Sequence, residues 1–146
     1  MHRDAARWVK RLNLAPHPEG GWYRETLRTE QCTTIYYLIE AGSFSAWHRV
    51  HGADEVWHHY DGDVLALHQL HAGGFERHLL GADDHHHLVV PAGRWQAAEP
   101  VGDRYTLVGC TVAPGFTFER FELGTRAGML AELPEQERWI HRFARS

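Results

Sequence analysis

Hydrophobic and polar positions alternate in short runs along most of this chain, and Gly or Pro cuts the runs at close intervals. Many short strands punctuated in this way predict an all-β barrel or sandwich. The clearest run is 33–40, Thr-Thr-Ile-Tyr-Tyr-Leu-Ile-Glu, whose β-branched and aromatic residues suit a strand buried on both faces. Residues 64–70 and 76–80, joined by His71-Ala72-Gly73-Gly74, predict a hairpin with a glycine turn. Leu88-Val89-Val90 leads into a turn at Pro91-Ala92-Gly93. Residues 105–112 read as another apolar strand closed by Pro114-Gly115, and 116–123 as one more with large residues on both faces. The two ends change period. Over 4–14, Ala5, Trp8, Val9 and Leu12 recur at helical spacing with Asp4 as the N-cap, and Pro16 and Pro18 stop the helix. Gly20-Gly21 then permits a sharp bend before a strand that alternates charged and bulky residues. From Leu133, a proline in the first turn, early acids and the stripe Trp139, Ile140, Phe143 predict a closing helix.

A length of 146 residues is that of one domain, 1–146, with enough interior to fold without disulfides or a metal staple. No apolar run approaches a membrane span, and the polar start does not read as a signal peptide, so the expected compartment is the cytoplasm. A net charge of -4 with scattered basic residues gives no electrostatic footprint for nucleic acid. Cys32 and Cys110 form no C-x-x-C pair and read as reduced thiols. The unusual count is 13 His. His2, His17, His68, His71, His78 and His141 lie far apart and read as half-buried fillers. His85-His86-His87, preceded by Asp83-Asp84, reads as a solvated loop entering a strand.

That leaves the stretch from Gly42 to Gly62. Its rhythm is Gly42, five residues, His48, Val50 two positions on, four residues, Glu55, six residues, Gly62. It resembles the first motif of the cupin superfamily, and Pro91-Ala92-Gly93-Arg94-Trp95-Gln96 resembles the second. Val50 stands where the family has a second His, and Gln96 where it has the last one. Further phrases narrow the resemblance to the Cupin_5 subfamily of unknown function: His17-Pro18-Glu19-Gly20-Gly21-Trp22-Tyr23, Trp47-His48-Arg49, Asp54-Glu55-Val56-Trp57-His58 and Cys110-Thr111-Val112-Ala113-Pro114-Gly115-Phe116. What this resemblance implies is a double-stranded β-helix, the cupin jelly-roll barrel, with its core over about 16–123, a cavity between the sheets and a homodimer; the short helices at both ends follow from the residue pattern and lie outside the matching phrases.

Three readings of the cavity stay open. In the first, His48, Glu55 and Gln96, with His59 two strand steps beyond Trp57, hold a divalent transition metal in a mixed N/O set for oxygenase or isomerase chemistry. In the second, a His48–Glu55 pair is a general base with Tyr37 or Tyr23 as the acid, as in metal-free cupin epimerases of nucleotide-sugar-like substrates. In the third, the cavity only binds a small polar molecule between Trp47, Trp57, Trp95, Tyr37 and Gln96, with Glu19 at the rim or in a dimer contact.

Overall fold

The computed structural model describes residues 1–145. Eleven strands form two antiparallel sheets: β1 (Ala15–Pro16), β2 (Trp22–Arg28), β3 (Thr33–Glu40), β4 (Ser45–Val50), β5 (Asp54–Gly62), β6 (Leu65–His71), β7 (Gly74–Leu80), β8 (His87–Val90), β9 (Trp95–Pro100), β10 (Tyr105–Ala113) and β11 (Phe121–Leu123). One sheet runs β1-β2-β3-β10-β5-β8 and the other β11-β4-β9-β6-β7. Consecutive strands repeatedly cross from one sheet to the other, which is the double-stranded β-helix expected from the motifs. Because side chains alternate along a strand, each sheet has one face turned to its partner and one turned away. Tyr37, Ile39, Trp57, Leu65, Leu67, Val108 and Cys110 fill the space between the sheets.

Both outer faces carry helices. α1 (Arg3–Arg11) lays Ala5, Trp8 and Val9 against Leu38 and Leu107 of the first sheet. Its cap is His2, whose Nδ1 accepts from the Asp4 backbone N–H, so Asp4 lies in the first turn instead of capping it. The second sheet is covered by α2 (Arg126–Glu132), a 3-10 turn at Pro134–Gln136, and α3 (Glu137–Phe143). Met129, Ile140 and Phe143 bury themselves there against Trp47, Trp95 and Ala97. α2 is an element that the apolar pattern did not disclose. It is short and carries Gly128 at its centre, but Thr125 caps it by accepting from the Gly128 N–H at 3.1 Å.

The strand expected over 116–123 survives only as Phe121–Leu123. Upstream of it, Arg120 N–H donates to the Thr117 carbonyl and the chain turns, leaving the ring of Phe118 82% exposed. The 33–40 strand has the expected bounds, but its first half is only partly covered. Among the described residues no helix is long and apolar enough to cross a membrane.

Candidate functional site

β4 carries the first functional side chain, and a bulge sets its direction. Ser45 pairs with Ala98 and His48 with Gln96, so three steps on β4 oppose two on β9. A bulge of this kind re-aims side chains and backbone carbonyls. The Ala46 carbonyl consequently accepts from His48 Nδ1 at 2.8 Å. That bond places a proton on Nδ1 and turns Nε2 toward Glu19 Oε1, 3.6 Å away. On β5, Glu55 and Trp57 point into the same space from the opposite sheet.

The bend at Gly20-Gly21 brings in the third strand of chemistry. Gly20 (φ 108°) and Gly21 (φ 79°) occupy backbone regions that side chains disfavour. A Cβ on Gly20 would meet the Phe44 carbonyl oxygen, and one on Gly21 would lie 2.7 Å from the Tyr37 ring. This close approach drops Glu19 to the cavity floor, where it is only 4% exposed. Neither the rim nor a dimer contact describes its place. His17, two residues earlier, shares its side. Nδ1 of His17 is 2.6 Å from Glu19 Oε2 and 3.2 Å from the Glu19 backbone N–H. A bare lone pair at 2.6 Å from a carboxylate oxygen would be repelled, so the shorter contact decides and Nδ1–H donates to Oε2. His17 therefore belongs to the site and is no filler. Its spacing from Glu19 across Pro18, inside one motif phrase, was the available signal.

Gln96 organises the opposite wall. Its Oε1 accepts from Trp57 Nε1–H at 2.7 Å and its Nε2–H donates to Glu55 Oε1 at 3.0 Å. The side chains of this set are buried, with Trp57 at 0%, Gln96 at 1% and Glu55 at 6% exposure. Burial pushes the Glu55 carboxyl above its ordinary range; the charge on Glu19 adds to this, while His48, Gln96 and Cys110 pull against it. Glu19 goes the other way. Burial raises it too, but His48 and His17 outweigh that and hold it below the ordinary value. Two carboxyls in one cavity are thus pushed apart, one toward the acid form and one toward the carboxylate. Burial holds the Cys110 thiol, beside Glu55, well above its usual range and therefore protonated.

Several expected site residues lie elsewhere. Tyr37 is buried in the cavity wall, but its hydroxyl donates to the Gly20 carbonyl at 2.5 Å, and burial keeps it protonated well above its ordinary value. It is committed to the bend. His59 lies beyond Trp57, whose indole fills the space between them; its Nε2 contacts the Asp63 carbonyl at 3.0 Å and its ring lies over Gly81. Trp47 and Trp95 face away from the cavity. Trp47 lies beneath α3, donating to the Trp139 carbonyl at 3.0 Å, and Trp95 holds the Arg49 guanidinium 4.0 Å from its ring centre. Alternation accounts for both, since each neighbours an inward residue, His48 or Gln96. His85, His86 and His87 are all exposed.

These residues do not fit a cupin metal. Val50 offers no donor, and both ends of the Gln96 amide are spent on Trp57 and Glu55. Among the described residues no three His, Cys, Asp or Glu side chains are grouped as a metal would require. What the cavity does offer is about 130 Å³ of space. Ile35, Val50, Val112 and Phe121 wall it, Phe116 and Phe118 stand with them, and Arg28 and Glu25 complete the lining.

A family model described as Cupin superfamily (DUF985) matches residues 6–124. A hypothetical protein from Leishmania major is 31% identical over 97% of this chain and 99% of its own, with a TM-score of 0.89. A protein from Shewanella oneidensis is 32% identical over 99% of this chain and 98% of its own, at 0.88. A conserved protein with a double-stranded β-helix domain from Klebsiella pneumoniae shares the fold at 18% identity, covering 75% of this chain and 88% of its own, at 0.60. No curated protein matches the chain.

Proposed function

This chain belongs to the Cupin_5 family of the cupin superfamily, and from that premise we propose that it binds a small polar molecule in its cavity and moves a proton to and from it without a metal. The observation that carries this reading is the opposed behaviour of Glu19 and Glu55 on either side of His48. Carboxyls whose environments push their pKa values apart mark an acid and a base assignment. With Nδ1–H held by Ala46, His48 Nε2 is the lone pair that accepts a proton, and the Glu19 carboxylate offsets the charge of the imidazolium that forms. Glu55, favoured as the acid, gives its proton to an oxygen of the ligand, with Gln96 fixing the carboxyl's orientation. For a carbonyl compound the step balances simply. The C–H bond beside the carbonyl breaks, its electron pair forms the enol double bond, its proton goes to His48, and the Glu55 proton goes to the carbonyl oxygen.

The test is proton exchange in deuterated water, followed by NMR on a panel of sugars, hydroxyketones and keto acids. The protein as purified without nickel should wash deuterium into the position beside a carbonyl of at least one member. His48→Gln and Glu55→Gln should abolish the exchange while circular dichroism stays unchanged. Exchange on no member, or exchange lost to a chelator and restored by a divalent metal, would overturn the proposal.

A further inference from the structure

The donors and acceptors at the cavity floor are unequally spent. Tyr37 donates to Gly20, Trp57 to Gln96, Gln96 to Glu55, and His48 Nδ1 to Ala46. Each of these hydrogens is already used inside the protein. One oxygen is not: Glu19 Oε1 has only His48 Nε2 at 3.6 Å, beyond hydrogen-bond distance. An ionised carboxylate accepts at about four lone-pair sites and donates nothing. A ligand seated against Glu19 must therefore bring a hydrogen to it.

The charges point the same way. Among the described residues Arg28 is the one guanidinium or ammonium group lining the cavity. Its Nε and one terminal nitrogen donate to the two oxygens of Glu25 at 2.7 and 2.6 Å, and its other terminal nitrogen donates to the Phe116 carbonyl at 2.9 Å. The Glu25 carboxylate offsets much of this fork's charge and leaves it two unused N–H groups. An anionic group entering the cavity would face Glu19, and the one cation there is already paired with Glu25. The size fits as well: at roughly 10–15 Å³ for each water, 130 Å³ holds on the order of ten water-sized positions, enough to seat a group with the bulk of a pentose.

Building on the proton-transfer reading, we infer that the ligand is an uncharged polyhydroxylated molecule of pentose size, with a hydroxyl that donates to Glu19 and an oxygen that faces Glu55, and that its carboxylate and phosphate congeners are disfavoured. Four probes separate the parts of this statement by calorimetric titration: ribulose, ribonate, ribulose phosphate, and a hydroxyl-free ketone of the same carbon chain. Ribulose should bind at least about tenfold more tightly than each of the others, the span expected for one or two hydrogen bonds to a buried carboxylate. Glu25→Ala leaves Arg28 with only the Phe116 carbonyl. It should tighten ribonate relative to ribulose by about threefold or more; an unchanged ratio would overturn the charge part of the inference. Ribonate or ribulose phosphate matching ribulose on the native protein, the hydroxyl-free ketone matching it, or no binding of ribulose would each overturn the inference. Selective ribulose binding without deuterium exchange would sustain it and remove the proton-transfer reading alone. Exchange confined to keto acids would do the reverse.

Discussion

Replacing Gln96 by Leu tests whether the wall of the cavity is held by one relayed chain of hydrogen bonds. The substitution removes two bonds, from Trp57 Nε1–H at 2.7 Å and to Glu55 Oε1 at 3.0 Å, and strands both partners. Each lost bond costs about 1 kcal/mol and each stranded buried group about 1–3 kcal/mol. Glu55 lines the cavity and recovers part of its share from water, and the leucine buries more apolar surface, worth about 1 kcal/mol. The net loss is about 3–5 kcal/mol. Trp57→Phe removes the donor together with part of a buried ring system, strands only Gln96 Oε1, and should cost about 3–4 kcal/mol. In the double variant neither the indole N–H nor the amide is left to be stranded by the other. The double loss should therefore fall short of the sum by about 1–2 kcal/mol. Urea denaturation of the four proteins measures this directly. Since Gln96 also pulls the Glu55 carboxyl down, the Leu variant should raise the pH at which Glu55 ionises, visible by carboxyl-labelled NMR. Additive losses, or a Gln96→Leu cost below about 0.5 kcal/mol, would refute the relay.

His68, buried under α3 between the rings of Phe75 and Phe143, is pushed down to about 4 by burial, with Glu99 opposing and Arg142 and Arg77 adding to the effect. Its fold favours the neutral imidazole, so the unfolded chain binds more protons between about pH 4 and pH 6.5; stability should fall by about 3 kcal/mol on acidification through that window, and His68→Leu should flatten the fall in urea titrations. Arg145 donates to the carbonyls of Glu19 and Phe44 at 3.3 and 3.2 Å and so tethers the C-terminal end to the bend beneath Glu19. Arg145→Ala, at an exposed side chain, should cost under about 1 kcal/mol of stability yet weaken ligand binding several-fold by calorimetry. A Val50→His, Gln96→His double variant restores the two missing imidazoles opposite His48 and Glu55 and should gain nickel or zinc binding measurable by titration, which neither single variant should match.

Most of the fold was legible because it rests on local periodicity. The strand at Thr33–Glu40, the hairpin closing at Ala72-Gly73 and the turn at Pro91-Ala92-Gly93 each follow from residue type and spacing alone. The 116–123 misreading has a local cause as well: large residues mimic a strand, while the Thr117 turn that breaks it leaves no mark in hydrophobicity. The cavity was legible to the extent that parity governs it. His48, Glu55, Trp57 and Gln96 converge as the motif spacing implies, and the same parity would have removed Trp47 and Trp95, each adjacent in sequence to an inward residue.

What spacing could not supply is distance across a bend. Glu19 reaches His48, 29 positions later, only because Gly20 and Gly21 take positive φ and let the chain fold against Phe44 and Tyr37. The chemistry of the cavity depends on that step. With Glu55 alone beside His48, a single buried carboxyl would settle at one protonation state and the pair would be a poor acid and base at once. With Glu19 brought in, the carboxylate charge sits on His17 and His48, and that same charge raises Glu55. In the proposed reaction, the bend therefore does what spacing alone could not: it sets a second carboxyl against His48 and makes the two carboxyls differ.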